Sequence, residues 1–280
     1  MSFNFQNSKF VINNSLKKNS QFPVSFETND FIIYEVIRLI KKKILFLPDH
    51  LERFYKSFHC VGREMNFTHK DILKQLKQLI DSNQIFDGNI KFQINISLET
   101  SKQSFYAYLI PHSYPLQEQY ELGVPVSVVK VIRQNPNAKV QQTELRKMID
   151  QILKKENSYE AILVNQEGIV TEGSRSNLFM IKNDKIFTAQ NKDILPGITR
   201  KHILQICKHH NIAVLQQPIA LNQLQTMDAI FITGTSPKVL PINLVSTYKF
   251  DVLHPLLRKI MKQFDELIEK NLQSIPDFYK

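Results

Sequence analysis

Apolar positions recur along this chain at two spacings, and the switches between them outline its elements. Ile90, Phe92, Ile94, Ile96 and Leu98 alternate with polar residues, which predicts a half-buried strand over 89–98 with Ser104–Ile110 as its hairpin partner. Phe31–Ile40 is apolar except for Glu35 and Arg38 and predicts a strand in which those two form a solvent-facing ion pair. Lys41–Lys43 then turns the chain, and Ile44–Leu47 reads as a short partner strand. Helical spacing begins at Pro48, with Leu51, Phe54, Tyr55 and Phe58 on one stripe and Arg53 projecting away from it. A second amphipathic helix covers Thr68–Leu79, where Thr68 and Asp71 form a capping box. Helices among antiparallel strands make the first part of the chain α+β. Residues 1–30 are strand and loop material with little signal.

A polar, proline-marked, aperiodic stretch, His112–Gln119, reads as a linker between two domains. Beyond it, Val124–Ile132 predicts a buried strand, and Arg133–Lys139 a turn. A helix follows with Leu145, Met148, Ile149 and Ile152 on its core face. Ala161–Val164 and Asn177–Ile181 read as strands, with a turn at Glu167-Gly168, and 181–193 as a hairpin over Asn183-Asp184. Ile198–Lys208 is a helical pattern, and Met227–Pro241 a strand, a Gly-Thr-Ser turn and a second strand. The last helix, Val252–Gln273, packs Leu253, Leu256, Leu257, Ile260, Phe264, Leu267 and Ile268.

Composition narrows the class. A chain of 280 residues with 42% hydrophobic content can build the cores of a compact two-domain unit. No apolar run approaches a membrane span, and Met1–Gln6 lacks the features of a signal peptide. Cys60 and Cys207 are the only cysteines, so a disulfide framework is excluded and a reducing cytoplasm is expected. The net charge of +10 comes from scattered lysines, without a basic helix or an aromatic platform, and predicts solvated surface rather than a nucleic-acid partner. His202, His209 and His210 have no carboxylate or cysteine at ligand spacing, so no metal is expected.

The chemistry concentrates in Val170–Met180 and Ile194–Arg200. Glu172 leaves a strand end into a Gly-Ser-Arg-Ser bend, where backbone can approach a ligand closely. Pro196-Gly197 feeds a helix whose first N–H groups face outward, as an anion site requires. Only seven glycines occur, and three of them, Gly173, Gly197 and Gly234, fall in these stretches or in the Gly-Thr-Ser turn.

Thr171-Glu-Gly-Ser-Arg-Ser-Asn-Leu-Phe179 followed by Ile194-Leu-Pro-Gly-Ile-Thr-Arg200 resembles the signature of the class IV aminotransferases. These are fold-type IV pyridoxal-phosphate enzymes: branched-chain and D-amino-acid aminotransferases, and aminodeoxychorismate lyase. Further matches fall in family order over about residues 30–245: Tyr34, Glu35 and Arg38; His50-Leu-Glu-Arg53; Lys139 about twenty residues before Tyr159-Glu-Ala-Ile-Leu163; and Phe231-Ile-Thr-Gly-Thr235.

The resemblance implies an α+β, two-domain fold. A small α/β N-terminal domain would cover 1–112 and a larger C-terminal pseudo-barrel domain 120–280. It implies that Lys139 attaches pyridoxal 5′-phosphate and moves the proton, and that Glu172 faces the pyridine nitrogen. Arg53, Ile198, Thr199 and Thr235 would hold the phosphate, while Tyr34, Arg38 and Ser236 would meet substrate. Amino acids and 2-keto acids are the implied partners, of a cytoplasmic homodimer. A branched-chain-type aminotransferase is the expected activity; a lyase releasing pyruvate, or a non-catalytic basic binding protein on the same fold, are the alternatives. The chain departs from the family at several points. Asp30 and Ile32 replace the usual glycines before Tyr34. Glu35 and Val36 stand where lyases often carry a threonine, and Lys91–Leu98 lacks the arginine of D-amino-acid enzymes. Glu144 replaces a tyrosine found in some branched-chain enzymes.

Overall fold

The computed structural model describes residues 8–23 and 30–274; of the low-signal N-terminal stretch, residues 1–7 and 24–29 lie outside the described residues. The chain divides into two compact units. The first holds the described residues up to His112, together with Ala138–Gln141 and the helix end from Lys270; the second holds Ser113–Asn137 and Gln142–Glu269.

The first unit is built on a six-stranded sheet. Its strands are β1 (Lys9–Ile12), β2 (Ser15–Lys18), β3 (Asp30–Ile40), β4 (Lys43–Ile44), β5 (Gly88–Ser97) and β6 (Gln103–Ile110), in the order β2-β1-β6-β5-β3-β4. Helices α1 (Leu47–Cys60) and α2 (His69–Asn83) supply Leu51, Phe54, Phe58, Ile72, Leu76 and Leu79 to a core shared with Ile33, Ile37, Ile90, Phe92 and Ile94. The predicted partner strand is shorter than expected: it ends at Ile44, and Leu47 already opens α1, where Pro48 suits the first turn. The Thr68–Asp71 capping box forms, with each side chain accepting the other residue's backbone N–H.

Strand β5 is buried on both faces rather than one. Phe92 and Ile94 enter the core, while Asn89, Gln93 and Asn95 are buried on the other side. The polar row survives burial because it is internally bonded: Gln93 donates to Asn95, Asn95 to Asp30, and the Tyr108 hydroxyl to Gln93.

The second unit is a nine-stranded mixed sheet. Eight strands follow the order β12-β11-β10-β13-β14-β7-β8-β9: β7 (Val124–Lys130), β8 (Glu160–Val164), β9 (Val170–Gly173), β10 (Asn177–Lys182), β11 (Lys185–Thr188), β12 (Val214–Gln216), β13 (Ala229–Gly234) and β14 (Lys238–Val245). β15 (Tyr248–Lys249) pairs with β14 off that path. The sheet curls, so that β9 at its end comes back beside β10, where Gly173 N–H donates to the Ser176 carbonyl. Leu178, Met180, Ile230, Ile232, Leu240 and Ile242 fill the curl.

Part of the expected linker is ordered as α3 (Gln117–Leu122), whose residue Tyr120 packs against the core. Helix α4 (Thr143–Glu156) buries Ile149 and Leu153, with Leu145 and Ile152 partly covered; Met148, expected on the core face, is exposed because the buried stripe lies one position round the helix. Helix α5 spans Ile198–His209 and α6 spans Pro255–Ser274. Leu253 precedes the first turn of α6 and is exposed, whereas Leu257, Ile260, Phe264 and Ile268 are buried as expected.

Candidate active site

In the first unit the site is organised by parity along β3. Side chains alternate between sheet faces, so neighbours Tyr34 and Glu35 point opposite ways. The register sets Tyr34 opposite Gln93, Val36 opposite Lys91 and Arg38 opposite Asn89 on one face. Glu35 lies opposite Phe92 on the other, among Ile33 and Ile37.

Lys139 joins the first of these faces through an added edge. Tyr34 N–H donates to the Lys139 carbonyl and Gln141 N–H to the Ile32 carbonyl, with Ile33 and Val140 bridged antiparallel. Lys139 N–H donates to Ser57 Oγ on α1. The backbone of the lysine is thus fixed on both sides, and its Nζ lies 5.0 Å from the centroid of the Tyr34 ring. Lys91 Nζ lies 4.5 Å from the same centroid and donates to Gln141 Oε1 at 2.6 Å. Burial lowers the Lys91 amine to about 8. Burial also raises the Tyr108 hydroxyl, with Tyr34 adding to the shift.

Arg53 is buried, not exposed as its helical position suggests. Its Nε and Nη2 donate to the two Glu35 carboxylate oxygens, each at 2.7 Å, and His50 Nδ1 lies 2.9 Å from Glu35 Oε2. Glu35 is therefore not in a solvent-facing pair with Arg38, which lies on the opposite face. Burial pushes the Glu35 carboxyl up, but the Arg53 charge and the hydrogen bonds from His50 and Arg53 more than offset it and hold the group ionised. Burial lowers His50, only partly opposed by Glu35.

The second unit brings together Glu172, the start of α5 and the 234–236 turn. Glu172 is 2% exposed. Its Oε1 is paired with Arg133, and its Oε2 accepts from Leu195 N–H at 3.1 Å and Asn177 Nδ2 at 3.3 Å. Asn177 also donates to the Leu195 carbonyl, and a Cβ on Gly197 would meet its Oδ1 at 1.9 Å. Glycine at 197 is thus a close-approach requirement. Asn177 is register partner of Thr233 on β13, which leads directly into Gly234-Thr235-Ser236. A Cβ on Gly234 would come within 3.5 Å of the Arg175 carbonyl, so the turn lies on the Ser174–Ser176 bend. That bend is held from below by buried Glu160, which accepts from Ser174 Oγ, Arg175 N–H and Ser176 Oγ.

These residues fit a phosphorylated cofactor. The N-terminus of α5 has no side-chain cap and no acidic residue in its first turn, so the amides of Ile198 and Thr199 suit an anion. The Thr233 hydroxyl nearby is buried without a hydrogen-bond partner. Glu172, acceptor to three donors, is a fixed carboxylate suited to a protonated ring nitrogen.

Sequence reasoning named Lys139, Glu172 and Arg53 but missed Glu35, His50, Lys91, Arg133 and Asn177 as their neighbours. Parity with Ile33 and Ile37 is the available signal for Glu35, and the three-residue helical spacing to Arg53 the signal for His50. Arg133 meets Glu172 across 39 residues of sequence, for which no local pattern exists. His202 and His210 make side-chain contacts with Gln205 and Gln263. Among the described residues no helix is long and apolar enough to cross a membrane.

Known proteins resemble this chain in sequence and in fold. The family described as amino-transferase class IV matches residues 32–245. A D-alanine aminotransferase from Bacillus licheniformis is 30% identical over 84% of this chain and 87% of its own length. A branched-chain aminotransferase from Thermoproteus uzoniensis, solved with norvaline, superposes with a TM-score of 0.85 at 24% identity, covering 97% of this chain and 99% of that one. A branched-chain amino acid aminotransferase from Escherichia coli gives 0.83 at 18% identity over 94% and 95%. The fold is the fold-type IV architecture that the motifs imply. With its family match spanning most of the sequence, this chain belongs to the class IV aminotransferases, enzymes whose cofactor is pyridoxal 5′-phosphate.

Proposed function

We propose that this protein transfers an amino group between an amino acid and a 2-keto acid, working in the cytoplasm as a homodimer. The observation that carries the reading is the double fixation of Lys139, by Tyr34 N–H and Ser57 Oγ, which sets one amine against the Tyr34 ring. Bound pyridoxal phosphate supplies an electron sink for the negative charge that forms at the substrate Cα. Lys139 would attach the group, and its amine, when free, would take up and return the proton at the substrate Cα. Glu172 keeps a proton on the ring nitrogen, because a fixed negative charge favours the cation. Arg53, the amides of Ile198 and Thr199, and Thr235 hold the phosphate. Tyr34, Arg38 and Ser236 orient the substrate.

Transamination is favoured over elimination by Glu35 and Val36, which leave no threonine after Tyr34 to donate a proton. The two unpaired cysteines, one of them the exposed Cys60, fit a reducing compartment. Strand β5 carries no arginine, which favours a branched-chain donor over D-alanine. The test is amino transfer to 2-oxoglutarate from L-leucine, L-valine and D-alanine, run beside pyruvate release from aminodeoxychorismate. Transfer fastest from the branched-chain donors is expected. Pyruvate release without transfer would overturn the reading, and transfer from D-alanine alone would overturn its donor.

A further inference from the structure

Glu35 is not used by the chemistry above, yet it is a fully buried carboxylate on the apolar face of β3. A charge in that position is tolerated only when its lone pairs are met by fixed donors. Arg53 and His50, one helical turn apart on α1, meet them. Because Nε and Nη2 both engage Glu35, the planar guanidinium is locked in orientation as well as in place. One turn further on, Ser57 Oγ donates to the Arg53 carbonyl and accepts from Lys139 N–H. Glu35, Arg53 and the backbone of Lys139 are therefore linked through a single helix.

We propose that Glu35, gripped by His50, is the positioning residue of the phosphate anchor, presetting the Arg53 guanidinium for the cofactor phosphate. The inference rests on the reading of Arg53 as a phosphate ligand. An arginine on a flexible stem loses rotamer freedom when it binds an anion; one clamped by a carboxylate has already lost it. Glutamine at position 35 cannot act as the clamp. It keeps one acceptor oxygen but turns an N–H donor toward the other edge of the guanidinium.

The test compares ligands with and without the phosphate. The full chain, stripped of cofactor, is titrated with pyridoxal 5′-phosphate and with pyridoxal, and the ratio of the two affinities is the readout. A thermal melt is run on each variant. Arg53→Ala should lower the ratio. Glu35→Gln should lower it by about tenfold or more, the size of one charge-assisted contact, with pyridoxal affinity nearly unchanged. His50→Leu, which leaves the Glu35–Arg53 pair in place, should lower it less but in the same direction, and it decides the matter if Glu35→Gln does not fold. If both variants lose thermal stability but keep the wild-type ratio while Arg53→Ala lowers it, the pair is purely structural and the proposal is overturned. If Arg53→Ala also leaves the ratio unchanged, the phosphate reading of Arg53 fails and the proposal falls with it.

Discussion

At the residue scale, two side chains make separable predictions. Glu172→Gln keeps the size and one acceptor oxygen but removes the charge proposed to face the ring nitrogen. The proposed phosphate contacts are elsewhere, so cofactor should remain bound while the turnover rate at saturating substrate falls by roughly 10²-fold or more. Steady-state kinetics of the reconstituted variant checks this; normal turnover would make Glu172 a structural residue. Lys91 predicts a pH dependence of stability. Its folded-state value, about 8, lies below the ordinary 10.5, so between these limits the unfolded chain binds more protons at this site than the folded one. Its contribution therefore makes the protein more stable as pH rises from about 8 toward 10.5. Denaturant melts across that range should show wild type gaining stability relative to Lys91→Met, whose position 91 carries no proton. Parallel curves would show that Lys91 titrates normally.

Elements carry the site through close backbone approach. Gly197 precedes α5, and the space a methyl group would need is taken by the Asn177 amide, which also holds Glu172 and the Leu195 carbonyl. Gly197→Ala should displace Asn177 and so disturb Glu172 and the α5 amides together. The expected outcome is a loss of cofactor affinity of at least about tenfold with modest loss of overall stability, read by cofactor titration beside a thermal melt. Wild-type affinity in this variant would show that the helix start and Glu172 are not coupled through Asn177. The spacing of motifs 171–179 and 194–200 was legible in the sequence because each is a contiguous turn with its own backbone demand. The curl that sets them side by side was not, since it depends on β10 pairing with β13 across about fifty residues. Arg53 illustrates the same limit. Its helical position was readable, but its burial follows from a partner on β3 that only the tertiary fold supplies.

For the whole molecule, the sequence shows two cores but not the chain's return between them. Domain limits drawn by composition put Lys139 beyond a linker, in the second half. The four residues Ala138–Gln141 belong instead to the first unit, where they extend the sheet beside β3. The C-terminal end of α6 belongs there as well: Asn271 Oδ1 accepts from Phe46 N–H, and the Leu272 carbonyl accepts from Lys43 Nζ. A fragment ending at His112 therefore leaves the Tyr34 N–H and the Ile32 carbonyl on an open, largely apolar strand edge. Expressed alone, it should self-associate, as light scattering would record; a stable, monodisperse fragment would contradict the dependence on 138–141.

The same four residues set an order of events on the ribosome. A nascent chain that has emerged only as far as His112 has made Tyr34, Glu35, His50 and Arg53, but not the segment that covers the open edge beside them. That segment delivers Lys139 as it closes the edge, so shielding of the strand and arrival of the lysine proposed to hold the cofactor are one step in synthesis. A chain stalled before residue 138 has neither. On the proposed role of Lys139, covalent capture of the cofactor would mark chains whose first sheet has been closed, and an interrupted product would leave no coloured, half-built species behind.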